Sequence, residues 1–180
     1  YPATDKLTVA LGDSYKISNQ FTGACAYSGF LTHLSDCGTG KSAGVGGDVT
    51  FAANYDIGNG FDFGAGFTAI EGSTTKGIFT KEGQDTYALQ LTYTADSYGA
   101  AVSFANYDLG DSSTVNEAYW GLNAYYSFDS FLDSISVGYE SGTYSGTGAG
   151  ADTTNWFAGI STQPIGPGSL NIGVGTYLHT

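Results

Sequence analysis

Residues 48–70, DVTFAANYDIGNGFDFGAGFTAI, change side-chain character at almost every step. Val49, Phe51, Ala53 and Tyr55 fall on one face of an extended chain, and Asp48, Thr50, Ala52 and Asn54 fall on the other. After Asp56-Ile57-Gly58-Asn59-Gly60 the beat resumes, with Phe61, Phe63, Ala65, Phe67 and Ala69 set against Asp62, Gly64, Gly66 and Thr68. Successive side chains of a strand point to opposite faces, so the stretch reads as a β-hairpin with one apolar face. A protein core and a lipid bilayer would both accept that face, and the rest of the chain has to decide between them.

The same period returns downstream. TYALQLTYT (86–94) places Tyr87, Leu89, Leu91 and Tyr93 opposite Thr86, Ala88, Gln90 and Thr92, and YGAAVSFAN (98–106) gathers Tyr98, Ala100, Val102 and Phe104. YWGLNAYYSF, SISVGYE, NWFAGIST and SLNIGVGTYL follow the same rule, which makes eight strands from Gly46 onward. Short turns (DIGNG, ADS, DSFLD, QPIGPG) alternate with long loops (EGSTTKGIFTKEGQD, YDLGDSSTVNE, SGTYSGTGAGADTT). Every long loop therefore lies at one end of the sheet. An up-and-down outer-membrane barrel has that rhythm, and a Greek-key sandwich has no reason to keep it. Tyr55, Phe61, Tyr93, Tyr98, Tyr126, Phe128 and Phe131 flank the short turns, where an aromatic girdle would sit; cross-strand aromatic pairing is the plainer alternative.

Composition points the same way. Twenty-eight Gly and 25 Phe and Tyr together (11 and 14), with charged residues at 12%, favour strands and turns over helices. No apolar run reaches the 18 or more residues of a membrane helix, but barrel strands need only about 9–11 alternating residues. A net charge of −12 with no arginine argues against a phosphate-binding surface for nucleic acid and favours cations. The second face is small and neutral (Gly64, Gly66, Thr68, Thr92, Ser103, Gly121, Asn123, Ser136, Gly138, Gly173, Gly175), which suits a wide, water-filled lumen. The only two cysteines, Cys25 and Cys37, read as a loop-stapling disulfide worth up to about 3 kcal/mol, with two free thiols as the alternative. A zinc site is not expected, because His33 cannot complete four ligands.

NYDIGNGFDFGAGFTA, GIFTKEGQDTYALQLTYTADSYGAAVSFANYD, YWGLNAYY, ISVGYE and DTTNWFAGISTQPIGPGSLNIGVGT, in that order, resemble the barrel of cyanobacterial outer-membrane porins in the carbohydrate-selective (OprB-like) porin family. The similarity runs over most of residues 46–176. It implies passive diffusion of ions and small hydrophilic solutes, sugars among them, across an outer membrane, usually by a homotrimer in contact with membrane lipids. It implies peptidoglycan contact only through a surface-layer-homology domain, and no part of this sequence matches that domain. The chain also ends in TYLHT instead of the aromatic that commonly closes such barrels.

The expected fold is therefore an all-β, antiparallel up-and-down transmembrane β-barrel, or a multi-strand arc of a larger, roughly 16-stranded barrel. Residues 1–45 form an N-terminal strand and cysteine-containing loop region, and residues 46–180 form the barrel strands. Pore-lining candidates are Asp48, Asp62 and Glu140, whose carboxylates would concentrate cations, together with Gln90 and Asn123. No catalytic residue, metal or cofactor is expected. The alternatives are a soluble or surface-exposed β-domain that binds glycans through Tyr and Trp, and a small structural barrel without a pore.

Three motifs invite chemistry and are set aside. LTVALGDSY (7–15) presents Ser14 like a hydrolase nucleophile, but neither His33 nor His179 stands in an Asp-x-x-His context. GTGKS (38–42) matches the tail of a phosphate loop, yet Ser35 replaces its first glycine and a strand pattern follows where a helix is required. Asp108, Asp111 and Glu117 lack the spacing of a calcium loop.

Overall fold

The computed structural model describes residues 1–25, 44, 46–110, 115–163, 168 and 170–179. Nine antiparallel strands form one sheet in strict sequence order: β1 (Leu7–Gly12), β2 (Val49–Gly58), β3 (Phe61–Ala69), β4 (Asp85–Thr94), β5 (Tyr98–Asp108), β6 (Asn116–Ser127), β7 (Leu132–Ser145), β8 (Thr153–Thr162) and β9 (Asn171–His179). The eight strands expected after Gly46 are β2–β9. The N-terminal strand expected within residues 1–45 is β1, which pairs with β2 from Leu7↔Tyr55 to Gly12↔Thr50. Among the described residues β1 and β9 do not pair, so the sheet is open. No described helix is long and apolar enough to cross a membrane.

The opening hairpin forms for a local reason. Strand β2 continues through Ile57 with a bulge between Asp56 and Gly58, and the turn is only Asn59-Gly60, at φ 55° and 82°. Positive φ at both central residues gives the turn whose twist matches that of the strands, and Asn-Gly is the pair that adopts it most readily. Gly60 also accepts Thr94 N–H through its carbonyl at 2.8 Å, and a Cβ there would strike the Thr94 carbonyl.

Long and short connections alternate, as expected, with the long ones (13–48, 70–84, 109–115, 146–152) at one end. One difference is that β7 extends to Ser145 and β8 begins at Thr153, so about half of the expected SGTYSGTGAGADTT loop is strand. Thr143 and Tyr144 are β-formers, and their pairing with Ala118 and Glu117 extends the ladder.

The sheet separates side chains sharply. On one face Phe51, Leu89, Leu91, Leu122, Val137, Ile172 and their neighbours remain exposed, Trp120 at 55% and Val174 at 62%. On the other, Thr50, Thr68, Thr86, Ser103, Asn123, Ser134 and Asn155 are buried, with Gln90 and Glu140 at 2%. We call these the outer and inner faces. This distribution is the reverse of a water-soluble sheet, which buries its apolar side. Aromatic rings border the outer face at the short-turn end: Phe61 and Tyr93 lie 4.7 Å apart, Tyr93 and Tyr98 5.9 Å, and Tyr126 and Phe128 4.9 Å, while Tyr98 pairs in register with Tyr126. Of the two readings of these rings, the contacts between β3, β4, β5 and β6 are the cross-strand aromatic pairing.

Candidate functional site

The inner face is built in transverse rows, because antiparallel register aligns inward residues of neighbouring strands. One row runs Asn54, Gly64, Gln90, Ser103, Gly121, Glu140 and Asn155 from β2 to β8. The next row toward the short turns holds Asp62, Thr92, Ala101, Asn123, Gly138 and Phe157. Toward the long loops lie Ala52, Gly66, Ala88, Ala105, Tyr119 and Gly142.

Residues 15–25 of the β1–β2 connection lie across these rows. A single 3-10 turn, Ile17–Gln20, buries Ile17 completely among Ala52, Ala88 and Ala105, with Phe21 packed against the cluster. Thr50 Oγ1 donates to the Tyr15 carbonyl at 2.8 Å, and Asn54 Nδ2 to Thr22 Oγ1 at 3.2 Å. Further across, Gly23 N–H donates to Gln90 Oε1 and Ala24 N–H to Asn123 Oδ1, each at 2.8 Å. Cys25 then packs on Phe157 of β8. The segment thus spans the face from β2 to β8.

The small inner residues of β3 acquire a specific role here. A Cβ on Gly66 would lie 2.6 Å from Ile17 Cγ2, and one on Gly64 would meet the Phe21 ring. Read from the sequence alone, these glycines suit a wide lumen; in the folded chain they make room for Ile17 and Phe21 of the segment that lies on this face.

Of the pore-lining candidates, Gln90, Asn123 and Glu140 share the central rows, with Gln90 and Asn123 in direct grip of the segment. Asn155 Nδ2 lies 3.4 Å from Glu140 Oε1. Asp62 begins the Asn123 row on β3, opposite Asp56 of β2 and three strands away from Asn123. Asp48 sits at the long-loop end, where its carboxylate accepts hydrogen bonds from the Ser73 hydroxyl and from Ser73 N–H (3.1 Å). These two bonds, the hydroxyl's first, hold its pKa below the ordinary carboxylate range. The five candidates do not form one ring. Cys25 is disulfide-bonded; Cys37 lies outside the described residues.

Ile17, Phe21, Gly23 and Ala24 are not legible as functional residues in the sequence, since they lie outside any periodic run. Tyr119 is legible in principle, because its neighbour Trp120 faces outward and the strand period turns Tyr119 inward. Its hydroxyl donates to Glu117 and lies 2.9 Å from the Tyr144 hydroxyl, forming a polar cluster near the long-loop end. Among the groups set aside, Ser14 Oγ donates to Asp13 at 3.0 Å and Asp108 Oδ1 accepts from Gly110 N–H at 2.9 Å. His33, Asp111 and GTGKS fall outside the described residues, as does the side chain of His179.

Comparison of the chain with models of protein families, with curated proteins and with solved structures finds no match.

Proposed function

We propose that the chain is a barrel arc of an outer-membrane porin, through which ions and small hydrophilic solutes, sugars among them, diffuse passively. The reading rests on one observation: apolar side chains cover the outer face of all the central strands while polar ones are buried inside. In water so wide an apolar surface favours association, whereas in a bilayer it replaces contact with a core. Unbroken pairing from β1 to β9 supports the same solvent, since a membrane leaves no backbone polar group free. With nine strands β1 and β9 run in the same direction, and a barrel paired antiparallel throughout needs an even number. Further strands completing a roughly 16-stranded barrel, usually found as a trimer, satisfy that requirement.

The inner face then borders the aqueous passage, and residues 15–25 constrict it. Among the described residues, Gln90 Nε2, Asn123 Nδ2 and Asn155 Oδ1 have no protein hydrogen-bond partner. Buried polar atoms of this kind are satisfied by water, which supports a wet interior. Glu140 in the central row, Asp56 and Asp62 at one end, and Asp48 at the other give the passage a negative lining. Together with a net charge of −12, this favours cations, and the preference fades as salt shortens the screening length from about 10 Å at 0.1 M to about 3 Å at 1 M.

The experiment compares neighbours on β4. Leu89 is exposed on the outer face and Gln90 is buried on the inner one. In a bilayer Leu89→Lys puts an ammonium into hydrocarbon and costs about 2–4 kcal/mol near the midplane. In a water-soluble sheet the same exposed position accepts lysine with almost no loss. Gln90→Lys adds a positive charge to the passage and lowers cation preference, read as a shift in reversal potential. A chain that stays monodisperse without detergent and tolerates Leu89→Lys overturns the reading.

A further inference from the structure

The β3–β4 loop, at the long-loop end of the sheet, turns toward the outer face. Residues 70–84 fold back over the outer face at the long-loop end. Phe79 stacks on Phe67 with ring centroids 4.4 Å apart, and Ile78 lies over Gly72 beside Ala69 and Val49. Ala69 is buried as a result, although it belongs to the outward series of β3. Phe79 itself remains 79% exposed and adopts φ 61°, a left-handed conformation that bulky side chains rarely take.

The loop is held in this shape by its own polar groups. Lys76 Nζ pairs with Glu71 Oε2 at 2.9 Å, and the same oxygen accepts Gln84 N–H at 3.3 Å. Thr74 Oγ1 donates to the Glu71 carbonyl at 2.7 Å, Thr80 Oγ1 donates to the Lys76 carbonyl, and Gly83 N–H donates to Thr80 Oγ1 at 3.2 Å. A loop so ordered carries Phe79 as a fixed projection, and the conformational entropy of presenting it is already lost on folding.

We propose that this loop is a membrane anchor, with Ile78 and Phe79 seated in the interfacial layer of a lipid bilayer. The proposal rests on the porin reading and adds to it a specific lipid-contacting element outside the strands. The Phe79 ring continues the apolar surface through Phe67, so whatever covers the outer face reaches it. Its place at the margin of that surface is where an aromatic ring is most favourable in a membrane. The loop carries no net charge to oppose this placement, since Glu71 pairs with Lys76 and exposed Lys81 is followed by exposed Glu82. A second copy of the chain docked on this patch is the competing occupant.

Single-tryptophan variants reconstituted in vesicles of brominated phosphatidylcholine test the assignment. One carries Phe79→Trp with Trp120→Phe and Trp156→Phe; the reference keeps Trp120 alone. The tryptophan of the Phe79→Trp variant is expected to lose more fluorescence to lipid brominated near the headgroup than to lipid brominated near the chain end. Ile78→Trp in the same background is the second probe should the first variant fail to fold. If Trp120 is quenched and the loop tryptophan is not, the anchor is overturned, by a second copy or by solvent, while the porin reading stands. Equal or stronger quenching of the loop tryptophan by the deep bromines also overturns it. If neither tryptophan is quenched, the porin reading falls and the anchor falls with it.

Discussion

Replacing Ile17 by alanine tests whether the inward segment stands in the conducting path. Ile17 is fully buried against Ala52, Ala88 and Ala105, and its Cγ2 occupies the space that a Cβ on Gly66 would need. Removing three side-chain carbons at about 0.8 kcal/mol each, plus the cavity left between alanines, gives a loss of about 3 kcal/mol. The hydrogen bonds from Gly23 and Ala24 remain, each contributing roughly 0.5–1.5 kcal/mol. At about 1.4 kcal/mol per tenfold change, the docked-to-undocked ratio of residues 15–25 falls by roughly 100-fold. On the proposed porin function, the single-channel conductance in planar bilayers is expected to rise, with fluctuations as the segment leaves and returns. Gly66→Val attacks the same contact from the strand side, where valine is a better strand former than glycine. If both variants keep full strand content and the parental conductance, the segment does not narrow the passage.

Other outcomes follow from single contacts. Gly60→Ala forces a side chain into a left-handed position and against the Thr94 carbonyl; it lowers stability by about 1–2 kcal/mol or more, measured by thermal unfolding in detergent. Asp48 and Glu71 are both held below the usual carboxylate range, Asp48 by Ser73 and Glu71 chiefly by its hydrogen bond to Lys76. Depressed folded-state pKa values mean that their contribution is present above the unfolded pKa, near about 4, and is lost as pH falls through the folded one. Hydrogen exchange at Ser73 and Gln84, corrected for intrinsic rates, therefore accelerates between about pH 5 and about pH 3, and pH-independent protection would contradict the assignment. Cys25 resists alkylation in denaturant until a reductant is added; immediate labelling would rule out its disulfide.

Much of the strand architecture can be read from the chain because its information is local. Period-2 alternation assigns Phe61, Phe63 and Phe67 to one face and Gly64 and Gly66 to the other without reference to any distant residue. Asn59-Gly60 sets the register of its hairpin, and the alternating loop lengths order the remaining strands. The candidates Gln90, Asn123 and Glu140 emerge the same way, as polar residues opposite an apolar series. The end of the β7–β8 loop is less legible, since Thr143 and Tyr144 serve a loop or a strand equally until β6 offers partners.

Other features appear only when distant parts of the chain meet. Nothing near Ile17 or Phe21 marks them as packing residues; their seats at Ala52, Gly64, Gly66, Ala88 and Ala105 become one surface only after four strands are in register. The grips on Gly23 and Ala24 come from residues 67 and 99 positions away. The outward turn of the β3–β4 loop, with Phe79 on Phe67, likewise depends on a carboxylate at Glu71 collecting Lys76 and Gln84. By itself the sequence determined the alternation of polar and apolar faces, because side-chain direction in a strand is a property of the backbone. Which segment covers the polar face, and how far the apolar one extends, was decided by tertiary structure, because those contacts join residues that only the assembled sheet brings together.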